Sequence, residues 1–415
     1  ARVAGPHLPF AGDGSRAHPP AHTYPPAHPA RLEQARAANA AGMAALRAGN
    51  GAEAAVAFRR ALEADPAAGP LWRNLAHAER LAGNDVAERA ALDQALALDR
   101  TDFVAQLRKA QNLERCGAET EALAAWSGAL QLAQGIANPV PGLADELAAG
   151  RAFVAAVQQR LGAGVDAALG PLEPQLDETE RRRIRAFADH ALGRRQVFFN
   201  ECAGVYYPFL PADEYFDAKH FPWFAELEAA ADDIRGELHG LLAAGHPAII
   251  PYVRLEEGTP QNKWSSLSHS HDWSACFLYE YGVPNQPVLD RCPKTAALLA
   301  RLPLAQIPGK APNAFFSMLK PQSAIPPHTG VTNTRAIVHL GLDIPPGCGF
   351  RVGGETREWQ EGKAFAFDDS IDHDAWNHSD ERRHILIIDT WNPHLTAHEQ
   401  EAIVRYFAAT DQSLG

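Results

Sequence analysis

The chain has 415 residues, 46% hydrophobic and 21% charged, with a formal net charge of −12. That length implies more than one core, and the acidic balance argues against nucleic acid as the partner, because phosphate binding needs a basic surface. No apolar run of about 18 residues occurs, so no membrane span is expected. The five cysteines (Cys116, Cys202, Cys276, Cys292 and Cys348) are scattered without a CxxC spacing. They fit reduced thiols in a cytoplasmic protein better than a disulfide framework or a zinc site.

Residues 1–30 read as a disordered Pro/His-rich arm without the apolar core of a secretory signal. His7, His18, His22 and His28 have no fixed spacing there. Over 31–135 the chain repeats itself. Gly49, Gly83 and Gly117 recur 34 residues apart, as do Phe58, Leu92 and Trp126, and Ala61, Ala95 and Ala129. A helix–turn–helix unit of that period resembles the tetratricopeptide repeat. Small residues let paired helices approach, large ones fill the groove to the next helix, and glycine serves a turn that needs positive φ. Trp72 stands where the repeat favours an aromatic, but its equivalent in the next repeat is Gln106, and Glu88 occupies a position that is usually small. The repeats can present a concave surface to a peptide or protein, pair two chains, or space a following domain. Residues 136–196 read as a helical bridge.

From 197 to 415 aromatic and β-branched residues, Pro and Gly become denser. A helix is expected over 223–242. Strands are expected over 314–319, 335–344, 349–352, 363–367 and 384–391, with a hairpin turn at Gly353-Gly354. The fold class is therefore multidomain α + β, with helical repeats followed by a C-terminal jelly roll (double-stranded β-helix). In Arg335 to Ile344, alternation places Arg335, Ile337 and His339 on one face. A face with an arginine and a histidine should line a wet pocket, since burying them dry is costly.

Two histidines frame the chemistry. His328 stands in a loop before a strand, and His373 follows a strand. Arg383 opens the last strand. Two imidazoles suit iron with coordination positions left open, and an arginine suits a carboxylate. The usual carboxylate two residues after the first histidine is replaced by Gly330. Asp368 and Asp369 read as a turn near His373 that helps to orient that ligand. His269 and His271 read as a loop near the entrance.

The stretches Cys292-Pro-Lys-Thr, Pro327 to Arg335, His339-Leu-Gly-Leu, Gly354 to Trp359, Phe367 to His373 and Trp391-Asn-Pro resemble the aspartyl/asparaginyl β-hydroxylases over about residues 202–406. That resemblance implies an Fe(II)- and 2-oxoglutarate-dependent dioxygenase with a two-histidine iron site and glycine where the carboxylate would be. It implies His328 and His373 as iron ligands. It implies Arg383 and Ser317 at the distal carboxylate of 2-oxoglutarate, with His339 and Trp273 in the same pocket. Arg335 would face the carboxylate of the target residue. O₂ is the other co-substrate, and succinate and CO₂ are by-products. The implied reaction is β-carbon hydroxylation of Asp or Asn in a peptide or protein. Ile337 replaces a second arginine of the animal enzymes, which leaves the substrate open. The same chemistry on a lipid or small molecule, or a non-catalytic repeat adaptor, are the alternatives.

Overall fold

The structure is a computed structural model and describes residues 29–414. The expected arm over 1–30 and its histidines lie outside the described residues, except for Pro29 and Ala30, which begin the first helix. The chain divides into two compact units between Asp177 and Glu178.

The first unit is helical. Three antiparallel pairs run α1 (Pro29–Arg47) with α2 (Gly51–Ala64), α3 (Gly69–Leu81) with α4 (Asp85–Leu98), and α5 (Phe103–Arg115) with α6 (Glu119–Leu132). The second helices begin 34 residues apart, at Gly51, Asp85 and Glu119. Gly49, Gly83 and Gly117 sit at the turns with φ of 76°, 78° and 71°, a conformation that favours glycine. Gly42 is forced small by packing, because a Cβ there would meet the Phe58 ring. Glu88, odd for a repeat, is buried and satisfied by Arg115 and Asn112. Trp72 donates to the Pro66 carbonyl at 2.9 Å.

The stretch read as a bridge, 136–196, is split. Helix α7 (Pro141–Leu169) packs on α6, where Gly150 admits the Trp126 ring. Helix α8 (Glu178–Ala191) belongs to the second unit, where Arg182 bonds the Tyr215 carbonyl and Glu355.

The second unit holds α9 (Phe224–Ala229), α10 (Ala231–Ala243), β1 (Ile250–Pro251), β2 (Trp273–Glu280), β3 (Val283–Pro284), α11 (Gln286–Leu289) and α12 (Pro293–Leu299). It continues with β4 (Ala314–Leu319), β5 (Ser323–His328), β6 (Arg335–Asp343), β7 (Cys348–Val352), β8 (Glu355–Arg357), β9 (Ala364–Phe367), β10 (His373–Asn377), β11 (Arg383–Trp391) and α13 (Ala397–Leu414). The single helix expected over 223–242 breaks at Ala230 (φ −92°, ψ 0°). Asp232 and Asp233 follow in the first turn of α10, where negative charge favours a helix start.

A seven-stranded antiparallel sheet runs β1-β2-β4-β11-β6-β9, with β3 beside β2. A four-stranded antiparallel sheet runs β5-β10-β7-β8. Alternation sorts each strand of the large sheet between two cores. Leu386 and Ile388 of β11 face outward, in one cluster with Leu238 and Leu241 of α10. Ile385 and Ile387 face inward, toward Ile325, Phe350 and Ala375 of the small sheet. The site lies in that inner space.

Candidate active site

His328 and His373 do not lie in loops beside strands, as read from the sequence. His328 ends β5, His373 begins β10, and the two are register partners. Strand β5 escaped the pattern because of Pro326 and Pro327. It is an edge strand, where proline is tolerated. The rings come together with centroids 4.1 Å apart.

Local backbone fixes both rings the same way. His328 Nδ1 donates to the Pro326 carbonyl at 2.8 Å, and His373 Nδ1 donates to the Ile371 carbonyl at 2.9 Å. Each bond spans two residues, puts the proton on Nδ1 and leaves the Nε2 lone pair free, the arrangement a metal requires. Burial lowers the pKa of both rings. His373 is pushed down to about 3, by burial first and by His328 second. The pair is therefore neutral and ready to bind a cation at ordinary pH.

The rings open into a cavity of about 410 Å³ between the sheets. Arg383 lines it and is buried, with 1% exposure. Its guanidinium donates to Ser317 Oγ at 3.2 Å and lies over the Trp359 ring, 4.9 Å from the centroid. Its Nε is buried without a hydrogen-bond partner, and no carboxylate pairs with it among the described residues. Burial drives its pKa down to about 10. A buried guanidinium without a counterion is costly, so the cavity is built to receive an anion. Trp273 Nε1 also donates to Ser317 Oγ, at 3.0 Å. With its oxygen accepting twice, the Ser317 hydroxyl proton is free to donate.

His339 accepts from Trp359 Nε1 at Nδ1, at 3.3 Å, so its own proton sits on Nε2. Burial, and then the charge of Arg383, hold its pKa well below the usual range. It is a neutral donor on the cavity wall. Arg335, Ile337 and His339 all line the cavity, in agreement with the alternation in β6. Arg335 is not free: it pairs with Asp389, whose Oδ2 also accepts from Asn313 N and Nδ2 at 3.0 and 2.9 Å. The sequence reading missed Asp389, although it shares the inward face of β11 with Arg383, Ile385 and Ile387.

Asp369, read from the sequence as part of a turn near His373, is more than a turn residue. Its carboxylate lines the cavity and fills the space beside Gly330, so that a Cβ at position 330 would fall on it. Oδ1 has no partner. Burial pushes its pKa up to about 7, with Arg335 opposing and Asp368 adding. An unfolded aspartate titrates near 3.8. The folded state therefore loses stability as pH rises from about 4 to about 7. Asp369→Asn is expected to stabilise the metal-free protein at pH 8, by on the order of 2 kcal/mol. The gain should vanish toward pH 4.5 when denaturant unfolding is followed at both values. His269 and His271 lie off the cavity and bond Leu255 and Ser274.

The sequence model of the aspartyl/asparaginyl β-hydroxylases matches residues 228–393, which carry both histidines, Arg335 and Arg383. The ornithine lipid ester-linked acyl 2-hydroxylase of Rhizobium tropici is 32% identical over 200 residues, 48% of this chain and 67% of that protein. The chain belongs to the aspartyl/asparaginyl β-hydroxylase family. The mouse aspartyl/asparaginyl β-hydroxylase is 38% identical over 140 residues, 33% of this chain. The chain spans only 19% and 18% of the length of the mouse and human family members. For the helices, the tetratricopeptide domain of Arabidopsis OM64 aligns with 30% of the chain and 96% of that domain, at 18% identity and a TM-score of 0.27. The 34-residue helix pairs themselves carry that assignment. No helix among the described residues is long and apolar enough to cross a membrane.

Proposed function

We propose that the second unit is an Fe(II)- and 2-oxoglutarate-dependent dioxygenase of the jelly-roll kind, hydroxylating the β-carbon of an Asp or Asn residue in a peptide or protein. The observation that carries this reading is Arg383, a buried cation without a counterion in the same cavity as two metal-ready histidines. Fe(II) on His328 and His373 would supply the oxidising chemistry, coupling O₂ activation to decarboxylation of 2-oxoglutarate to succinate and CO₂.

The protein's own groups bind, orient and keep water out. Arg383 and the free Ser317 proton hold the distal carboxylate, and Trp273 keeps Ser317 turned toward it. His339 Nε2–H donates near the other end. Arg335 presents its unused N–H groups to the target carboxylate, and Asp389 keeps its fork in place. The aromatic wall of Tyr252, Trp273 and Phe315 is stacked, with Tyr252 and Trp273 centroids 3.9 Å apart. It shields the reacting carbon. The repeat unit is proposed to hold a peptide partner.

One feature favours a second substrate class. Ile337 lines the cavity and belongs to one apolar cluster with Phe277, Phe315 and Ile387, and the Rhizobium tropici relative is named for acyl 2-hydroxylation. The β-carbon of aspartate and C2 of an acyl chain are both bonded to a carbonyl carbon, so one geometry serves either. Arg335 separates them. Arg335→Ala is expected to cut hydroxylation of a free-carboxylate target by about 100-fold or more, in line with loss of a buried charge pair. It should leave 2-oxoglutarate binding intact and spare an uncharged acyl ester.

The reading is tested by succinate formation with Fe(II), 2-oxoglutarate and O₂, and by 2-oxoglutarate binding to the metal-loaded protein. Both are expected in the wild type, with turnover lost in His328→Ala. Absence of 2-oxoglutarate binding would overturn the assignment in favour of an adaptor.

A further inference from the structure

The outer face of the large sheet carries a cluster that the cavity chemistry does not use. His239 from α10, Asp343 from the end of β6 and His384 from the start of β11 converge there. His239 Nε2 lies 2.8 Å and His384 Nδ1 2.7 Å from the same oxygen, Asp343 Oδ2. All three candidate ligand atoms lie within 4.8 Å of one another. None of the three residues lines the cavity. Strand alternation puts His384 on the face opposite Arg383. We infer that His239, Asp343 and His384 form a second divalent metal site, apart from the cavity, for a zinc-like transition ion.

The donor set selects the ion class. Two imidazoles and one carboxylate suit Zn(II), Co(II) or Ni(II), whereas Mg(II) and Ca(II) prefer all-oxygen shells. Donors about 2.1 Å from a tetrahedral ion stand about 3.4 Å apart. The two histidine contacts with Asp343 Oδ2, at 2.8 and 2.7 Å, are shorter than that, so a bound ion would spread the cluster, and His239 has room to adjust because its side chain is 52% exposed. The same exposure gives an ion a path in and leaves a position for water. His384 and Asp343 are held more firmly, at 11% and 28% exposure.

The neighbouring charges are compatible. Arg235 Nε donates to the Leu342 carbonyl at 2.8 Å and lies 3.5 Å from Asp343 Oδ1. It engages the oxygen that the histidines leave unused, orienting the carboxylate as a supporting partner does. Its charge is offset by Asp232 at 2.8 Å and Glu361 at 3.9 Å. A bound ion would tie α10 to β6 and β11, the strand that carries Arg383.

The test is a titration of Co(II) and Zn(II) into the full-length chain carrying His328→Ala and His373→Ala, which removes the cavity pair. One equivalent is expected to bind, with tetrahedral Co(II) absorption. Zn(II) at a hundredfold excess over Kd should raise the melting temperature, on the order of 5 °C. Adding His239→Ala, at a half-exposed position, should weaken binding at least tenfold and abolish the shift. His384→Gln should do the same. No binding to the cavity-free chain would overturn the inference. So would binding unchanged by His239→Ala, which would assign the metal to other histidines such as His7, His18, His22 and His28.

Discussion

Arg383→Met is expected to abolish 2-oxoglutarate binding while making the ligand-free protein more stable. The two effects share one cause. The guanidinium is buried, its Nε has no partner, and burial alone drives its pKa down. In the ligand-free fold this is an uncompensated charge. Replacing buried charge with apolar volume is commonly neutral or stabilising by about 1–4 kcal/mol. Methionine keeps most of the length and can lie against Trp359, with loss only of the bond to Ser317. With 2-oxoglutarate present the sign reverses, because the charge then has its partner. Losing one side of a buried charge pair costs about 2–5 kcal/mol, some 30- to 4000-fold in affinity. Denaturant unfolding with and without 2-oxoglutarate reads both effects. A variant less stable than wild type without ligand, yet still binding 2-oxoglutarate, would mean that Arg383 is an ordinary structural cation.

The same contrast shows where sequence reasoning succeeded and where it stopped. Strands with regular alternation or dense apolar content, β4, β6, β7, β9 and β11, were legible, and so was the turn at Gly353, whose φ is 55°. Strand β2 was not, because Trp273 to Cys276 is buried without a break, with little alternation to read. The prolines of β5 and the polar run His373 to Asn377 of β10 concealed the two strands that carry the histidines. The residues meant for ligands, His328, His373 and Arg383, are brought to one cavity. Asp389 was within reach of the alternation argument in β11. Asp369 was legible as a turn beside His373, but its contact with Gly330 was not, since only the tertiary fold brings its carboxylate to that space. The cluster of His239, Asp343 and His384 was equally invisible, because its members are separated by about a hundred and by about forty residues in the chain and meet only through the packing of α10 on the sheet.

Gly330→Asp would write the common His-x-Asp pattern back into this chain, and it is expected to destroy the site instead of improving it. The backbone at 330 is clamped on both sides. Its N–H donates to the Asp369 carbonyl at 2.6 Å, and its carbonyl accepts from Ala203 N at 3.0 Å. A Cβ there falls on the Asp369 carboxylate. The clamp prevents the backbone from yielding, so the Asp369 side chain must leave or the two loop segments must part. Overpacking of this kind costs about 1–3 kcal/mol. It also sets two carboxylates side by side, near Asp389, with Arg335 as the cation that faces them. A displacement of about 1 Å in a metal-binding histidine is enough to cost roughly 100-fold in turnover. We therefore expect Gly330→Asp to lower the melting temperature and cut succinate formation by about 100-fold or more. Adding Asp369→Gly vacates the space and should recover folding stability and Mn(II) or Fe(II) binding. Equal activity in Gly330→Asp and wild type would show that Asp369 moves freely. The close fit of its carboxylate against Gly330 would then not be what keeps a side chain out of that position.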